Sequence, residues 1–593
     1  MLDKEIANTF DRRSALFLTG GAVLTSILIL RMLQLQLIEY KKYKKLSLNN
    51  SSRIIIEPSM RGKILSSDGV ALAKDEAVYR AFIIPDECED IEMVLKTIST
   101  ELKLSTKEIE KILKKIEKQR KFKPVIVREN IKWAQLAKLK LLNLSGLHLE
   151  PGYSRKYPGG GLAAHVVGYV GTLDESRTNP RMATTSPFLM TGLTGLEKIF
   201  DDSLSGTPGQ KITHTDAIGR IIEGETEDQI MAIAGKDLRT TLRQNIQKKM
   251  EKTLAEYGSG CGVMLECDTG KILAMASAPK FDANLFRSID GTGYIEDLRN
   301  NKLKPFMNKA IEGLYPPGST FKIVVALAAL ESGATTKEEK IYCDSKWEYG
   351  KHIYHCWERK GHGWMNLESA LAHSCDIYFY QIALRIGINP IKSMAEKLGL
   401  GQKLLELLPL EMAGIIPDRE WKQKNIRESW LHGDTIISGI GQGYILTNCL
   451  QLAVMYARTA TNREIFPYII EDKNKIEYKK LGINPENIKI IMNGLAKVTQ
   501  EGGTASETRW IIKNMGGKTG TSQVRRITLA ERQSGIKTNE QLNWEQRNHG
   551  LFVGLAPIKK PKYSVAIITE HSGNSSTAAR VAAEIMKEAL KND

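Results

Sequence analysis

The chain has 593 residues, of which 42% are hydrophobic and 26% are charged. It is too long for one ordinary domain of about 150 residues, and its composition excludes disordered, collagen-like and disulfide-dense proteins. Lys and Arg outnumber Asp and Glu by 84 to 68, and the net charge of +16 is compatible with nucleic acid, an anionic membrane surface or an acidic polymer as a partner.

An uncharged apolar stretch lies close to the N-terminus. Residues 14–30 carry no charge, and apolar side chains continue past Arg31 to Leu37. At about 1.5 Å per residue, this stretch can cross a hydrocarbon layer about 30 Å thick once. We therefore predict a transmembrane signal anchor over residues 14–37, preceded by a tail over residues 1–13. A cleaved signal peptide is the alternative, although no small-residue cleavage motif follows the apolar run.

Residues 38–235 combine helical and strand-like patterns. A Ser-x-x-Glu capping box opens a predicted surface helix over residues 105–123, and a second helix is predicted over residues 133–142. The Gly-punctuated sequence AAHVVGYVG at residues 163–171 predicts a strand. We expect an α+β unit with a helical head over about residues 87–145.

From residue 236 onward, strand patterns alternate with long apolar helices. A hairpin is predicted over residues 262–276, with Asp268-Thr269-Gly270 at its turn. Two further strands are predicted from His549 and Tyr563, followed by a closing helix over residues 576–590. Strands at both ends with helices between them predict an α/β domain over residues 236–593, whose sheet is assembled from distant parts of the chain.

The first of three short motifs is YPPGSTFK, at residues 315–322. Pro317 and Gly318 precede a helix that is apolar on every side, and Ser319 and Lys322 lie one turn apart at its start. A serine hydroxyl needs a base within hydrogen-bond reach to act as a nucleophile, and a partly desolvated lysine can be that base. Alone, the pattern is weak, because any helix that begins with serine and lysine matches it.

Two more motifs follow in the same domain. Ser374-Cys375-Asp376 precedes an apolar helix, and GKTGTS at residues 517–522 follows Met515 on a predicted strand. Glycines allow a substrate backbone to approach that strand, Lys518 supplies a charge, and threonine hydroxyls can bind a carboxylate. In the order S-x-x-K, S-x-[ND], K-T-G, the three motifs together are a strong signal of acyl transfer.

With these motifs the chain resembles the penicillin-binding proteins and serine β-lactamases. The resemblance is strongest to class B transpeptidases of the penicillin-binding protein 2 type, and it covers nearly the whole chain. It rests on further segments in both halves: RKYPGG from Arg155, HVVGYVG from His165, GLTGLEKIFD from Gly192, DLRTTL from Asp237, APKFDAN from Ala278, ISGIGQGY from Ile437 and GLFVGLAP from Gly550.

The resemblance implies a fold, a reaction and a set of site residues. It implies that residues 38–235 form a non-catalytic pedestal and that residues 236–593 form the transpeptidase domain. It implies an acyl-enzyme on Ser319, with no cofactor for catalysis, that cross-links peptidoglycan stem pentapeptides and is inhibited by β-lactams. The catalytic set would be Ser319, Lys322, Ser374, Asp376 and Lys518, and the substrate-binding set would be Thr519, Gly520 and Thr521.

The resemblance also implies a location and partners. The tail at residues 1–13 would be cytoplasmic and the catalytic domain periplasmic, on a single-pass inner-membrane protein. Since a long domain translocates largely regardless of charge, the excess of basic residues after the anchor does not oppose this orientation. A SEDS-type glycan polymerase and other elongation proteins are the expected partners. Nucleic-acid binding has only the net charge in its favour.

Four candidate metal ligands lie between and within the first two motifs: Cys343, Cys356, His362 and Cys375. Three thiolates and an imidazole suit tetrahedral zinc, although the tight C-x-x-C spacing is absent. Some proteins that resemble this subgroup hold a structural zinc at these four positions, with aspartates in place of the first two cysteines. A Cys343–Cys356 disulfide and plain core cysteines are the alternatives.

Other functions share the three motifs. A D,D-carboxypeptidase would use water in place of the acceptor amine. A penicillin-sensing receptor or scaffold would be acylated without turning over. A β-lactamase is disfavoured by the length of the chain and by the lack of a glutamate-based deacylation motif.

Overall fold

The computed structural model describes residues 2–42, 52–121, 123–172, 189–215, 221–287, 291–471, 476–525, 531, 535 and 537–591. It begins with helix α1 at Leu2–Leu33, which continues into a π-helical turn at Gln34–Ile38. Within the described residues, Ser14–Ile38 is one segment that is long and apolar enough to cross a membrane, with a mean hydropathy of 1.9. The predicted apolar span is therefore confirmed in length and composition.

The pedestal contains several small sheets and short helices. Its strands are β1 (Ser52–Glu57), β2 (Ile64–Leu65), β3 (Ala71–Ile83), β4 (Val125–Ile131), β5 (Leu147–Lys156), β6 (Val170–Thr172), β7 (Met190–Gly192), β8 (Gly209–Thr215), β9 (Ile221–Ile230) and β10 (Leu238–Arg239). Its helices are α2 (Ile91–Leu102), α3 (Thr106–Lys118), α4 (Trp133–Leu141), α5 (Pro158–Gly161), α6 (Ala164–Val167), α7 (Gly195–Ile199) and α8 (Asp201–Ser205).

The long strand β3 connects the head to the rest of the pedestal. It pairs with β2, β4 and β5, while β1, β8 and β9 form a separate sheet. Helices α2 to α4 pack with β4 around one apolar cluster. The predicted capping box at Ser105 and Glu108 is present, but its helix ends at Lys118. The head is thus mixed rather than purely helical, because β4 completes its sheet.

The strand predicted at residues 163–171 is largely wrong. Ala164–Val167 forms one helical turn, and only Val170–Thr172 is a strand, paired with β7. The turn is closed by left-handed backbone at Ala163 (φ +56°) and by Gly168 (φ +77°). A Cβ at Gly168 would lie 1.9 Å from the Thr194 carbonyl oxygen, so tertiary packing overrides the β-branched composition of this stretch.

A buried ionic cluster joins distant segments of the pedestal. Glu197 is fully buried and accepts from Arg61 Nε at 2.6 Å and from Arg155 Nε at 2.7 Å. The same two guanidinium groups also pair with Asp201 and Asp75. Because buried charges are tolerated only when they are paired, this cluster constrains how the segments that carry these residues meet.

The second half of the chain contains a larger α/β unit. Its strands are β11 (Gly260–Glu266), β12 (Ile272–Ala278), β13 (Ile341–Cys343), β14 (Lys346–Tyr349), β15 (His352–His355), β16 (Gly363–Met365), β17 (Gly516–Ser522), β18 (His549–Ala556) and β19 (Tyr563–Thr569). Its helices are α9 (Gln244–Ala255), α10 (Gly291–Asn300), α11 (Lys322–Glu331), α12 (Leu367–Ala372), α13 (Asp376–Ile386), α14 (Ile388–Lys397), α15 (Arg419–Asn425), α16 (His432–Ser438), α17 (Cys449–Thr461), α18 (Pro485–Val498) and α19 (Ser576–Leu590).

One antiparallel sheet, in the order β12-β11-β19-β18-β17, forms the centre of this unit. Helices α9 and α19 pack on one face of the sheet, and helices α11 and α17 lie in the apolar cluster on the other face. The predicted hairpin, the two C-terminal strands and the closing helix are confirmed. Strand β17, which carries the third motif, is at the edge of the sheet.

We expect the Glu197→Gln variant to lower the free energy of unfolding of the pedestal by about 3 kcal/mol, because the substitution leaves two buried guanidinium groups without their shared carboxylate. Urea unfolding of the detergent-solubilised full chain measures this effect. The matched control is Glu76→Gln, since Glu76 pairs with Lys74 on the surface of the same region and an exposed pair contributes at most about 1 kcal/mol. Equal midpoints for the two variants would contradict a structural role for the cluster.

Candidate active site

The first motif lies at the junction of a tight turn and a buried helix. Gly318–Phe321 forms a 3₁₀ turn that leads into α11, and every residue of α11 from Lys322 to Leu330 is buried. Ser319 is partly exposed, whereas the Lys322 side chain has no exposed surface. The candidate nucleophile is therefore accessible, and the candidate base lies in the protein interior.

The buried Lys322 ammonium is held by the second motif. Its Nζ atom donates to Asp376 Oδ1 at 2.7 Å, to the Ser374 carbonyl oxygen at 2.8 Å and to Ser374 Oγ at 3.2 Å. A lysine ammonium has three N–H donors, so these three acceptors match its full capacity. The structure thus brings together Lys322, Ser374 and Asp376, which the sequence analysis selected as catalytic.

The second motif is itself held by a residue that the sequence analysis missed. The Trp357 backbone N–H donates to Asp376 Oδ2 at 3.0 Å, and its indole Nε1 donates to the carbonyl oxygens of His373 and Ser374, both at 3.1 Å. The adjacent Cys356 was singled out only as a metal ligand. Nothing in the sequence pattern marks Trp357, because its partners lie some twenty residues away in the chain.

The third motif runs along the edge strand β17. Lys518 has no exposed surface, and its Nζ atom donates to the Thr519 carbonyl oxygen at 3.2 Å. Burial and the positive charge of Lys322 lower the pKa of Lys518. Thr519 Oγ1 lies 2.7 Å from Thr504 Oγ1, which makes Thr504 a second neighbour of the site that sequence patterns did not indicate.

Glycines bring the first and third motifs into backbone contact. Gly318 has a left-handed backbone (φ +54°), and a Cβ there would lie 2.6 Å from the Thr521 carbonyl oxygen. A Cβ at Gly441 would lie 2.2 Å from the Gly318 carbonyl oxygen, and the Gly318 N–H donates to the Gly441 carbonyl at 2.9 Å. Gln442 Nε2 donates to the Thr521 carbonyl oxygen at 3.0 Å. Three backbone segments therefore meet beside Ser319.

The four candidate metal ligands also converge. The Sγ atoms of Cys343, Cys356 and Cys375 and a ring nitrogen of His362 all lie within 4.8 Å of one another. Ligands at about 2.3 Å from a tetrahedral zinc ion would be about 3.8 Å apart, so this donor set fits zinc in chemistry and in spacing. All seven cysteines are free thiols, so the alternative Cys343–Cys356 disulfide is not formed in this structure.

Contacts within this cluster shift the pKa values of the Cys356 thiol and the His362 imidazole. Hydrogen bonds from Cys343 and Cys375 lower the pKa of Cys356. Burial alone would lower the pKa of His362, but its contacts with the Cys343 and Cys356 sulfurs outweigh burial and raise the pKa to about 9. The Cys356 Sγ atom also accepts from the Asp376 N–H at 3.4 Å, which connects the cluster to the second motif.

Two family models match most of the chain. The one described as penicillin binding protein transpeptidase domain matches residues 260–591, and the one described as penicillin-binding protein dimerisation domain matches residues 56–240. Together the two ranges contain the three motifs and the segments on which the resemblance was based, except for Thr241 and Leu242 at the end of DLRTTL. The transpeptidase range contains every residue of the candidate site.

Named relatives and solved structures are similar over nearly the full length. The peptidoglycan D,D-transpeptidase MrdA of Acinetobacter baumannii is 31% identical, with 96% of this chain and 86% of the relative covered. A structure described as a complex between penicillin-binding protein PBP2 and MreC from Helicobacter pylori has a TM-score of 0.76 at 27% identity, covering 91% of this chain and 99% of that one. Another similar structure is described as "Structural coordination of polymerization and crosslinking by a peptidoglycan synthase complex". It has a TM-score of 0.69 at 26% identity and covers 97% of this chain and 98% of that one.

The lowered pKa of Lys518 predicts a pH-dependent stability. Between the folded pKa and the unfolded value of 10.5, the unfolded chain binds a proton that the folded chain does not bind, so stability rises with pH in this window. We expect the native chain to gain stability relative to the Lys518→Met variant as the pH rises toward 10.5, by up to about 1.4 kcal/mol per pH unit. Urea midpoints of both proteins across this range measure the difference, and a constant difference would contradict the lowered pKa.

Proposed function

The chain belongs to the penicillin-binding protein transpeptidases, and we propose that it cross-links peptidoglycan stem peptides during cell elongation through an acyl-enzyme on Ser319. The observation that carries this proposal is the convergence of the three motifs. Lys322 Nζ lies 2.7 Å from Asp376 Oδ1, and the backbone before Ser319 packs directly on Thr521. A nucleophile, a candidate base and a candidate oxyanion hole therefore meet at one place.

Acylation begins at Ser319. Its Oγ atom attacks the carbonyl carbon of the penultimate D-Ala, and its proton passes to Lys322 in the neutral amine form. The leaving amine of the terminal D-Ala takes a proton from Ser374 Oγ, which Lys322 replaces across their 3.2 Å contact. The C–N bond breaks, free D-Ala departs, and the stem peptide remains bound to Ser319 as an ester.

The second half reverses these proton transfers. An amine from a neighbouring stem peptide attacks the ester carbonyl and gives up a proton through Ser374 and Lys322, and the Ser319 hydroxyl is restored. Backbone N–H groups of Ser319 and Thr521 would bind the developing oxyanion in both halves, and one such donor is worth about 3–4 kcal/mol in other enzymes. The close contact of Gly318 with Thr521 supports this role, because it holds the two backbones side by side.

The edge strand would bind the donor peptide. Among the residues that the structure describes, β17 pairs with a strand on one side only, so an extended peptide can add along its other edge by backbone hydrogen bonds. Lys518, Thr519 and Thr521 would receive the terminal carboxylate. Gly520 lets the first motif pack on this strand, because a Cβ there would lie 3.0 Å from the Pro317 carbonyl oxygen. β-Lactams would acylate Ser319 in the same position. No cofactor takes part in this reaction sequence.

The location and partners are also part of the proposal. The apolar span at Ser14–Ile38 would anchor the chain once in the inner membrane, with residues 1–13 cytoplasmic and the catalytic unit periplasmic. The similarity to structures described with MreC and with a peptidoglycan synthase complex supports elongation-complex proteins and a SEDS-type glycan polymerase as partners.

We further propose that Cys343, Cys356, His362 and Cys375 hold a structural zinc ion. The convergence of their ligand atoms supports it. When bound, zinc would supply a structural link among these four side chains and no catalytic chemistry. Because Cys375 lies between Ser374 and Asp376, holding its sulfur holds the second motif.

Penicillin labelling tests the nucleophile. The native full chain in detergent is expected to take up one equivalent of fluorescent penicillin, and the Ser319→Ala variant is expected to label at least about 1000-fold more slowly, since the attacking hydroxyl is gone. The Ser332→Ala variant, at the other end of α11, serves as the matched control and retains native labelling. Labelling of the Ser319→Ala variant at the native rate would remove the central claim.

Metal analysis tests the zinc proposal. The purified native chain is expected to contain about one zinc ion, and the Cys343→Ser variant to contain almost none and to unfold at a lower temperature, because three remaining ligands bind zinc much more weakly. The control is Cys88→Ser, at a cysteine of the pedestal outside the cluster, which keeps its zinc. A native chain without stoichiometric metal would refute the site.

A further inference from the structure

Trp357 combines an exposed ring with fully engaged N–H groups. The residue as a whole is 54% exposed. Its backbone N–H donates to Asp376 Oδ2 at 3.0 Å, and its indole N–H is shared between the carbonyl oxygens of His373 and Ser374 at 3.1 Å each. Both donors of this residue therefore end on the second motif.

Ser374 needs such support because its backbone is strained. Its φ of +56° is in the left-handed region, which is unfavourable for a residue that carries a Cβ. A strained residue persists only when its surroundings hold it. The Ser374 carbonyl oxygen is held from two sides, by Lys322 Nζ at 2.8 Å and by Trp357 Nε1 at 3.1 Å.

Lys322 connects the Ser374 carbonyl oxygen to the hydroxyl of the same residue. Lys322 Nζ reaches both the carbonyl oxygen and the Oγ atom of Ser374. If the peptide after Ser374 rotated, Lys322 would lose the Ser374 carbonyl oxygen as an acceptor, and only the Oγ contact would still join it to Ser374. The indole N–H opposes this rotation, since it binds the carbonyls on both sides of the Ser374 α-carbon.

We propose that Trp357 is a positioning residue for acyl transfer: its indole N–H holds the left-handed Ser374 backbone so that the Ser374 hydroxyl and Lys322 remain in contact. This inference rests on the proposed function, in which Ser374 and Lys322 transfer protons. Trp357 acts through the second motif and does not itself touch the reacting atoms. Its backbone N–H holds Asp376 in the same way, and substitution of the side chain leaves that bond in place.

The first test compares Trp357→Phe with Trp364→Phe in the full chain. Trp364 is 66% exposed on the small two-stranded β13–β16 sheet and packs edge-on against Tyr342, so it is a matched exposed tryptophan. The rate constant for acylation by fluorescent penicillin and the final labelling stoichiometry are measured separately. We expect Trp357→Phe to acylate about tenfold more slowly at unchanged stoichiometry, and Trp364→Phe to behave as the native chain.

A second replacement removes the donor alone. Benzothienylalanine, introduced at position 357 by nonsense suppression, keeps the shape of the indole ring and replaces its N–H with sulfur. The same slowing is expected, with unchanged zinc content. A positioning role changes the rate constant of every molecule, whereas a purely structural role lowers the fraction that labels and leaves the rate of that fraction unchanged.

The outcomes separate this inference from the proposed function. Native acylation rates for both replacements at position 357, or a loss of stoichiometry without a change in rate, would overturn the positioning role while the Ser319 mechanism stands. An absence of labelling in the native chain and in Trp364→Phe would overturn the proposed function, and the positioning role with it.

Discussion

The site depends on one buried ammonium group. Lys322 has no exposed surface, so each of its three N–H donors must find an acceptor in the protein. All three acceptors come from two residues, Ser374 and Asp376. The left-handed backbone of Ser374 is thus held by contacts of both its carbonyl oxygen and its hydroxyl with Lys322. The strained backbone of Ser374 and the hydrogen bonds of the buried Lys322 ammonium therefore depend on each other.

A second buried lysine, Lys518, lies close enough to Lys322 for the two charges to interact. Lys518 has no exposed surface either, and the charge of Lys322 is one cause of its lowered pKa. Two buried ammonium groups repel each other, so one of them is favoured in the neutral form. In the proposed mechanism, a substrate carboxylate beside Lys518 opposes the lowering of its pKa and favours its charged form. Substrate binding and the charge of Lys518 are thus coupled.

Local sequence patterns predicted those helices and strands whose periodicity and turn residues lie within the element itself. The closing helix at Ser576–Leu590, the hairpin of β11 and β12 and the buried helix after Ser319 all follow from periodicity and turn residues. The stretch at residues 163–171 failed because contact with Thr194 closes a helical turn there. The three motifs were recognisable from their order, whereas Trp357 and Thr504 were not, and Gln442 was noted only as part of the ISGIGQGY segment. Their contacts join segments that are far apart in the chain, and no local pattern encodes such contacts.

The backbone contact of Gly318, Gly441 and Thr521 has a consequence for the evolution of antibiotic resistance. In the proposed mechanism a drug and the natural stem peptide place their carbonyl oxygen against the same backbone N–H groups. A side chain at Gly318 or Gly441 would force this backbone apart, and it would impair both reactions together. These glycines therefore offer no route to a variant that refuses the drug and still builds the cell wall. Variants that refuse only the drug are instead expected at positions where drug and peptide differ in shape.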